Sequence, residues 1–209
     1  MRPSLREEKR LWKKGFKRVI CLDEAGRGPL AGPVVAAAVT IYNFNSKILK
    51  ELKGVKDSKK LSPKKRKEIF KKIKKIPQIK WATSTVSPRI IDKINILEAT
   101  KLAMERATKK LFQKIKGKRK SFLIVDGNFE INLKIPQKSI VKGDEKVFSC
   151  ALSSIIAKVK RDKIMEKYSK KYPKYKFEIH KGYPTKLHLK LLKKYGPSKI
   201  HRRTFKGVK

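Results

Sequence analysis

Acidic side chains are scarce in this sequence. Asp and Glu total 17 against 58 Lys and Arg, a formal net charge of +41. Long apolar runs are missing too: no stretch of about 18 apolar residues occurs, which excludes a transmembrane helix. Residues 1–14 contain no apolar stretch of the kind a secretory leader carries. Cysteine is reduced to Cys21 and Cys150, both in apolar contexts, so no disulfide framework is available and a reducing cytoplasm is the expected compartment. The three histidines follow no metal-ligand spacing. His180 and His201 are expected to be structural or to face phosphate. What remains is 39% hydrophobic over 209 residues, enough for one sizeable core and too much for a disordered chain. One domain, or one domain with an appendage, is expected.

A charge this large points to a polyanion, and nucleic acid is the abundant one. Lysine loading by AT-rich coding or by life at high temperature is the competing explanation. The distribution adds information. Residues 47–80 hold 15 Lys/Arg against three acids, and residues 158–209 hold 19 against three. Between residues 19 and 46 the only basic side chain is Arg27. A lightly charged, apolar segment is thus bracketed by basic ones, as expected of buried strands feeding a site with a phosphate-binding rim.

Residues 1–18 read as a short helix or a loose arm. Val19–Asp23 is a β-rich apolar run, followed by a loop with Gly26, Gly28, Pro29, Gly32 and Pro33. Val34–Tyr42 reads as a buried strand. Ser62 is a good N-cap with Pro63 at the first helical position, which predicts a basic helix from Pro63 to about Lys75. Trp81–Val86 is a third strand, and the periodicity from Asp92 to about Ile115 is that of a long amphipathic helix. Ser121–Asp126 is a fourth strand, Ser139–Val141 a short fifth one, and Val147–Tyr168 a second long helix. A helix over Thr185–Tyr195 stops at Gly196-Pro197. This order predicts an α/β fold, a mixed sheet covered by helices.

With so few acids, their positions matter. Asp23-Glu24 follow one strand, Asp126 ends another, and Asp144 precedes a helix. Sites in open α/β sheets gather at strand ends, so these groups are expected to converge. Clustered carboxylates repel unless a cation sits among them. Oxygen-only ligands point to Mg²⁺ or Mn²⁺. Two such ions would activate a water and stabilise the leaving oxygen of a phosphodiester. The plainer alternatives are that Asp144 caps the following helix and that Asp126-Gly127 is a turn. The Gly-Arg-Gly loop is weak as a motif but gains weight from its place beside the acid pair, where glycines would let a backbone approach a ligand closely.

The stretch Asp23-Glu24-Ala25-Gly26-Arg27-Gly28-Pro29-Leu30-Ala31-Gly32-Pro33-Val34-Val35 resembles the signature of bacterial ribonuclease HII, the type 2 ribonuclease H family. The likeness continues through D-S-K-K-L-S at 57–62, N-I-L-E-A-T at 95–100, V-D-G-N at 125–128 and G-D-E-K at 143–146. It runs on through S-I-I-A-K-V-x-R-D at 154–162, H-K-G-Y-P-T at 180–185 and Y-G-P-S-x-I-H-R-R at 195–203. The resemblance implies a ribonuclease H-like mixed five-stranded sheet flanked by helices, with a helical C-terminal extension. The expected division is a basic N-terminal segment over 1–18, a catalytic domain over 19–168, and a basic extension over 169–209 that completes the substrate-binding surface. It also implies a metal-dependent endoribonuclease that cleaves RNA in RNA–DNA hybrids. The same family incises 5′ of ribonucleotides embedded in duplex DNA and leaves 3′-hydroxyl and 5′-phosphate ends.

By the same resemblance, Asp23, Glu24, Asp126 and Asp144 are the active-site carboxylates, holding two Mn²⁺ or Mg²⁺ ions. Gly26, Arg27 and Gly28 read the ribose 2′-hydroxyl, Lys59 contacts phosphate, and Tyr183 packs on the deoxyribose at the RNA–DNA junction. The expected partners are RNA–DNA hybrids and ribonucleotide-containing DNA, with no membrane, and the expected state is a monomer. Cys21 stands where the pattern has glycine, and Glu145, Val147, Phe148 and Cys150 depart from it around Asp144. Two other readings compete: a non-catalytic basic nucleic-acid-binding protein, and another nuclease of the same fold that needs no 2′-hydroxyl.

Overall fold

The computed structural model describes residues 3–55 and 61–208. Five strands form one sheet: β1 (Arg18–Ala25), β2 (Val34–Ile41), β3 (Ile79–Val86), β4 (Ser121–Asp126) and β5 (Gln137–Ile140). Their order is β3-β2-β1-β4-β5, with β1–β2 and β2–β3 antiparallel and β1–β4 and β4–β5 parallel. The helices are α1 (Arg6–Lys13), α2 (Ser46–Glu51), α3 (Pro63–Lys75), α4 (Pro88–Lys114), α5 (Gly143–Lys146), α6 (Phe148–Lys171), α7 (Phe177–His180) and α8 (Lys186–Tyr195). The mixed five-stranded α/β architecture is the one expected. Among the described residues, no helix is long and apolar enough to cross a membrane.

The sheet lies between two helical layers. Ala36 and Ala38 of β2, with Ile20 and Leu22 of β1, pack towards α4 through Ala99, Ala103, Met104 and Ala107. Ala37 and Val39 of β2 pack the other way, towards α6 and α3 through Ala151, Leu152, Ile155, Ile69 and Ile73. A strand buried on both faces needs apolar residues throughout, and alanine there lets both helices come close. Cys21 meets Cys150 in a small cluster with Leu11, Val19, Ile124 and Val147. Both thiols are free and buried.

The starts of α2, α3, α4 and α8 carry side-chain caps. Ser62 accepts from the Lys65 N–H with Pro63 next, and Ser87 accepts from the Ile90 N–H with Pro88 next. Inside α4, Asn95 departs from helical geometry at φ 63° and its side chain accepts from the N–H groups of Leu97 and Glu98. It acts as an internal cap between two pieces that meet at a kink. Residues 3–18 are not a loose arm. Buried Glu8 of α1 accepts from the Ser149 N–H at the start of α6, while Ser4 bridges Val147.

Candidate active site

In the parallel pair β1–β4, Leu22 is level with Val125. The next residues along the two strands are Asp23 and Asp126, so two acids stand side by side on adjacent strands. Asp144 reaches them from α5. One carboxylate oxygen from each of Asp23, Asp126 and Asp144 lies within 4.8 Å of the others. Asp126 is held by two amides: its oxygens accept from the N–H groups of Gly143 (2.9 Å) and Asp144 (3.0 Å). That contact brings α5 so close that a Cβ at Gly143 would stand 3.4 Å from Asp126 Cβ and Cγ. Asp144 is no helix cap; Lys142 holds that place, and Asp144 sits in the first turn with its carboxylate at the cluster.

Asp23 Oδ1 accepts from the Glu24 N–H at 2.6 Å, and Ser154 adds a side-chain hydrogen bond. Burial pushes the Asp23 carboxyl well above its usual range, and the charges of Glu24, Asp126 and Asp144 push the same way. A divalent cation removes that conflict, and a donor set made of carboxylate oxygens suits a hard ion. The residues present therefore fit a metal site. Glu24 stands beside Asp23 but outside the three-residue set; its Oε1 lies 3.8 Å from Arg27 Nη1. Three of the four expected carboxylates thus share one spot, and the fourth adjoins it.

The loop after β1 runs from Gly26 to Pro33. Gly26 has φ +105°, and a Cβ there would overlap the Arg161 guanidinium and come within 2.7 Å of the Pro33 carbonyl. At exposed Gly28 a Cβ would meet nothing. Arg27 places its guanidinium over the Phe129 ring at 5.7 Å. Behind the loop, buried Arg161 and Arg202 donate to its carbonyls. Arg161 reaches Pro33 (3.0 Å) and Ala31 (3.1 Å), and Arg202 reaches Gly32 (3.0 Å), Arg27 (2.8 Å) and Gly26 (2.5 Å). The C-terminal segment also binds the loop by main chain. Leu30 N–H donates to Gly182, Gly32 N–H to Ile200, and Arg202 N–H to Leu30.

Tyr183 is half-exposed, with Lys158 Nζ 5.4 Å and Arg161 Cζ 5.6 Å from its ring centre. It borders a cleft of about 470 Å³ lined also by Arg66, Lys67, Lys158, Asp162 and Lys181. A larger cleft of about 940 Å³ lies at the opposite end of the sheet, between Trp12, Arg18, Tyr42, Phe44 and Arg119. The carboxylates line neither; they stand towards the C-terminal ends of the interior strands β1 and β4, beside the loop. His180, His188 and His201 are buried and stacked behind Tyr183, so the phosphate-facing reading of His180 and His201 is wrong. His188 Nδ1 bonds the Tyr183 carbonyl at 2.9 Å. Lys59 lies outside the described residues.

The description "Ribonuclease HII" belongs to the family model that this sequence matches over residues 20–208. The chain belongs to the ribonuclease HII family. A ribonuclease HII of Caldicellulosiruptor bescii is 47% identical over 198 residues, covering 95% of this chain and 91% of the relative. Ribonuclease H2 of Pyrococcus horikoshii superposes with a TM-score of 0.67 at 29% identity, over 91% of this chain and 95% of that one. Bst-RNase HIII in complex with Mn²⁺ shares the fold, with a TM-score of 0.75 at 19% identity over 95% of this chain and 70% of that one. As a ribonuclease HII, the protein is a hydrolytic endoribonuclease acting on RNA–DNA hybrids. The non-catalytic reading is thereby set aside. Sequence reasoning passed over Arg161, Arg202 and His188, although the blocks at 154–162 and 195–203 contain the first two.

Proposed function

We propose that this ribonuclease HII incises on the 5′ side of a ribonucleotide embedded in duplex DNA and leaves 3′-hydroxyl and 5′-phosphate ends. The observation that supports the reading is the meeting of Asp23, Asp126 and Asp144 within 4.8 Å, next to a glycine loop. In this reading Asp23, Glu24, Asp126 and Asp144 hold two Mn²⁺ or Mg²⁺ ions. Bound there, such ions supply Lewis acidity that activates a water and stabilises the leaving oxygen. Asp126 keeps one orientation because two backbone N–H groups fix both its oxygens. Ser154 and the Glu24 N–H do the same for Asp23.

Gly26, Arg27 and Gly28 test the ribose 2′-hydroxyl, the one group that separates a ribonucleotide from its deoxy counterpart at a given position. Tyr183 offers its ring to the adjoining deoxyribose. Lys59, the lysines of α3 and the basic segment 169–209 hold phosphates, which makes binding independent of base sequence and sensitive to salt. Residues 19–168 form the catalytic unit and 169–209 complete its binding surface, with 1–18 as the basic N-terminal segment. The enzyme works as a monomer in the cytoplasm.

The deciding assay is incision of a DNA duplex that carries one ribonucleotide, with Mg²⁺ or Mn²⁺. The unaltered protein should nick 5′ of the ribonucleotide, and Asp23→Asn should not. Equal incision by the two would end the reading, and cleavage of all-DNA four-way junctions would favour another nuclease of this fold.

Two further variants probe recognition. Gly28→Ala should leave thermal stability unchanged, because its methyl meets no protein atom. It should still slow incision about tenfold by blocking one close backbone contact. Full activity would remove the loop from recognition. Tyr183→Ala should cost about tenfold or more on a lone ribonucleotide, the worth of one stacked ring, and much less on a continuous RNA–DNA hybrid. Equal losses on both substrates would point to a folding defect instead.

A further inference from the structure

Two arginines more than nine-tenths buried stand behind the glycine loop, and among the described residues neither forms an ion pair. All the bonds Arg202 makes through its guanidinium go to main-chain carbonyls of the loop: Gly26, Arg27 and Gly32. Arg161 takes Ala31, Pro33 and, from the C-terminal segment, Lys181. Buried cations are costly, and a hydrophobic side chain of similar size would pack there more cheaply. The donors are therefore the useful part of these residues.

In a trans peptide the carbonyl of one residue and the N–H of the next point in opposite directions across a rigid plane. Among the described residues no peptide bond is cis. Arg202 Nη2 holds the Gly26 carbonyl, so the Arg27 N–H points away from Arg202. Arg202 Nη1 holds the Arg27 carbonyl, so the Gly28 N–H points away as well. One planar fork thus sets two consecutive peptide planes in a fixed geometry, which a lysine, with its three donors on one rotatable nitrogen, does not reproduce. Among the described residues no acceptor meets the N–H of Arg27 or Gly28. Arg161 fills the space beside Gly26 where a Cβ would fall, so only glycine fits there, at φ +105°.

We propose that Arg202, backed by Arg161, is a positioning residue for ribose selection: its fork turns the N–H groups of Arg27 and Gly28 outward as paired donors for the 2′-hydroxyl oxygen. The inference rests on the proposed role of the loop and adds what gives the loop its orientation. Arg202 itself touches no substrate.

The test compares affinity for a duplex carrying one ribonucleotide with affinity for the same duplex made only of DNA, in an Asp126→Asn background so that nothing is cut. The parent should prefer the ribonucleotide about tenfold or more. Arg202→Lys should bring that ratio below about twofold while binding to all-DNA duplex changes little, with a lower melting temperature because buried loop carbonyls lose donors. A ratio kept in Arg202→Lys and lost in Gly28→Ala overturns the role of Arg202 and leaves the loop's role standing. A parent with no preference overturns the loop reading itself. If Arg202→Lys does not fold, amide hydrogen exchange on the Asp126→Asn protein decides. The N–H groups of Arg27 and Gly28 should exchange freely when the protein is alone, become protected by the ribonucleotide duplex, and remain unprotected with all-DNA duplex. Protection of both in the free protein would place them facing inward and overturn the proposal.

Discussion

Asp126→Asn should lower cleavage of a one-ribonucleotide duplex on the order of 10³-fold while affinity for that duplex stays the same or rises. The shape of the side chain is kept, so the loss falls on charge and donor chemistry. One carboxylate of a set packed within 4.8 Å becomes neutral, which weakens the grip on a divalent ion. The same change removes a negative charge from a surface that meets phosphate, which favours binding. A stability cost comes with it. The two oxygens of Asp126 serve the N–H groups of Gly143 and Asp144, and the amide of asparagine presents an NH₂ to one of them. An amide left without its acceptor costs about 1–3 kcal/mol. Steady-state cleavage, duplex affinity and thermal melting on one preparation separate these effects. Cleavage within tenfold of the parent, with normal folding, would remove Asp126 from the catalytic set.

Acid should unfold the C-terminal segment first, through the three histidines. Their partners fix their tautomers. His201 Nδ1 accepts from the Ser198 N–H, so its Nε2 donates to His188 Nε2. His188 Nδ1 donates to the Tyr183 carbonyl. His180 Nδ1 accepts from the Gly182 N–H, and its Nε2 donates to the Tyr175 carbonyl. A proton added to any of them would set N–H against N–H. Burial, and then a neighbouring ring, brings His188 and His201 down from 6.5 to about 4. Burial lowers His180 too, with Glu178 opposing the shift and Lys181 adding to it, while Arg203 further lowers His201.

The folded state therefore refuses protons that the unfolded chain takes up near pH 6.5. Stability is complete above that pH and falls as pH drops towards 4. At pH 5 the loss is about 2 kcal/mol for each of His188 and His201. Urea unfolding at pH 7.5, 6 and 5 reads it, and His188→Gln should flatten the slope. A profile that is level between pH 7.5 and 5 would contradict a neutral cluster.

Local chemistry was the part of the fold most legible in the sequence. Ser62-Pro63 set the start of α3 at Pro63, and the apolar run ending at an acid set β4 at Ser121–Asp126. Ser87-Pro88 carries the same Ser-Pro signal, and α4 begins there, four residues ahead of the expected Asp92. Helix α2, six residues capped by Asn45, is too short to show a period. Helices α5 and α7, of four residues each, are shorter still.

The carboxylates could be found because acids are rare here and three of them follow or end apolar runs. Their meeting came from the parallel register of β1 and β4, which no spacing along the chain encodes. The arginines could not be found in that way. Arg161 and Arg202 bond carbonyls 128 and 176 residues away, and nothing in a side chain that usually seeks water announces that it will be buried. For the histidines the sequence left a structural and a phosphate-facing reading open, for a related reason. Three polar rings scattered over residues 180–201 become one neutral stack only after α7, α8 and the final loop have come together.

The glycine loop sits near the beginning of the polypeptide, while the groups that set it, Gly182, Ile200 and Arg202, come near the end. During translation the sheet and its acids emerge long before those late residues leave the ribosome. The loop thus takes its set geometry only after those late residues have folded back onto it.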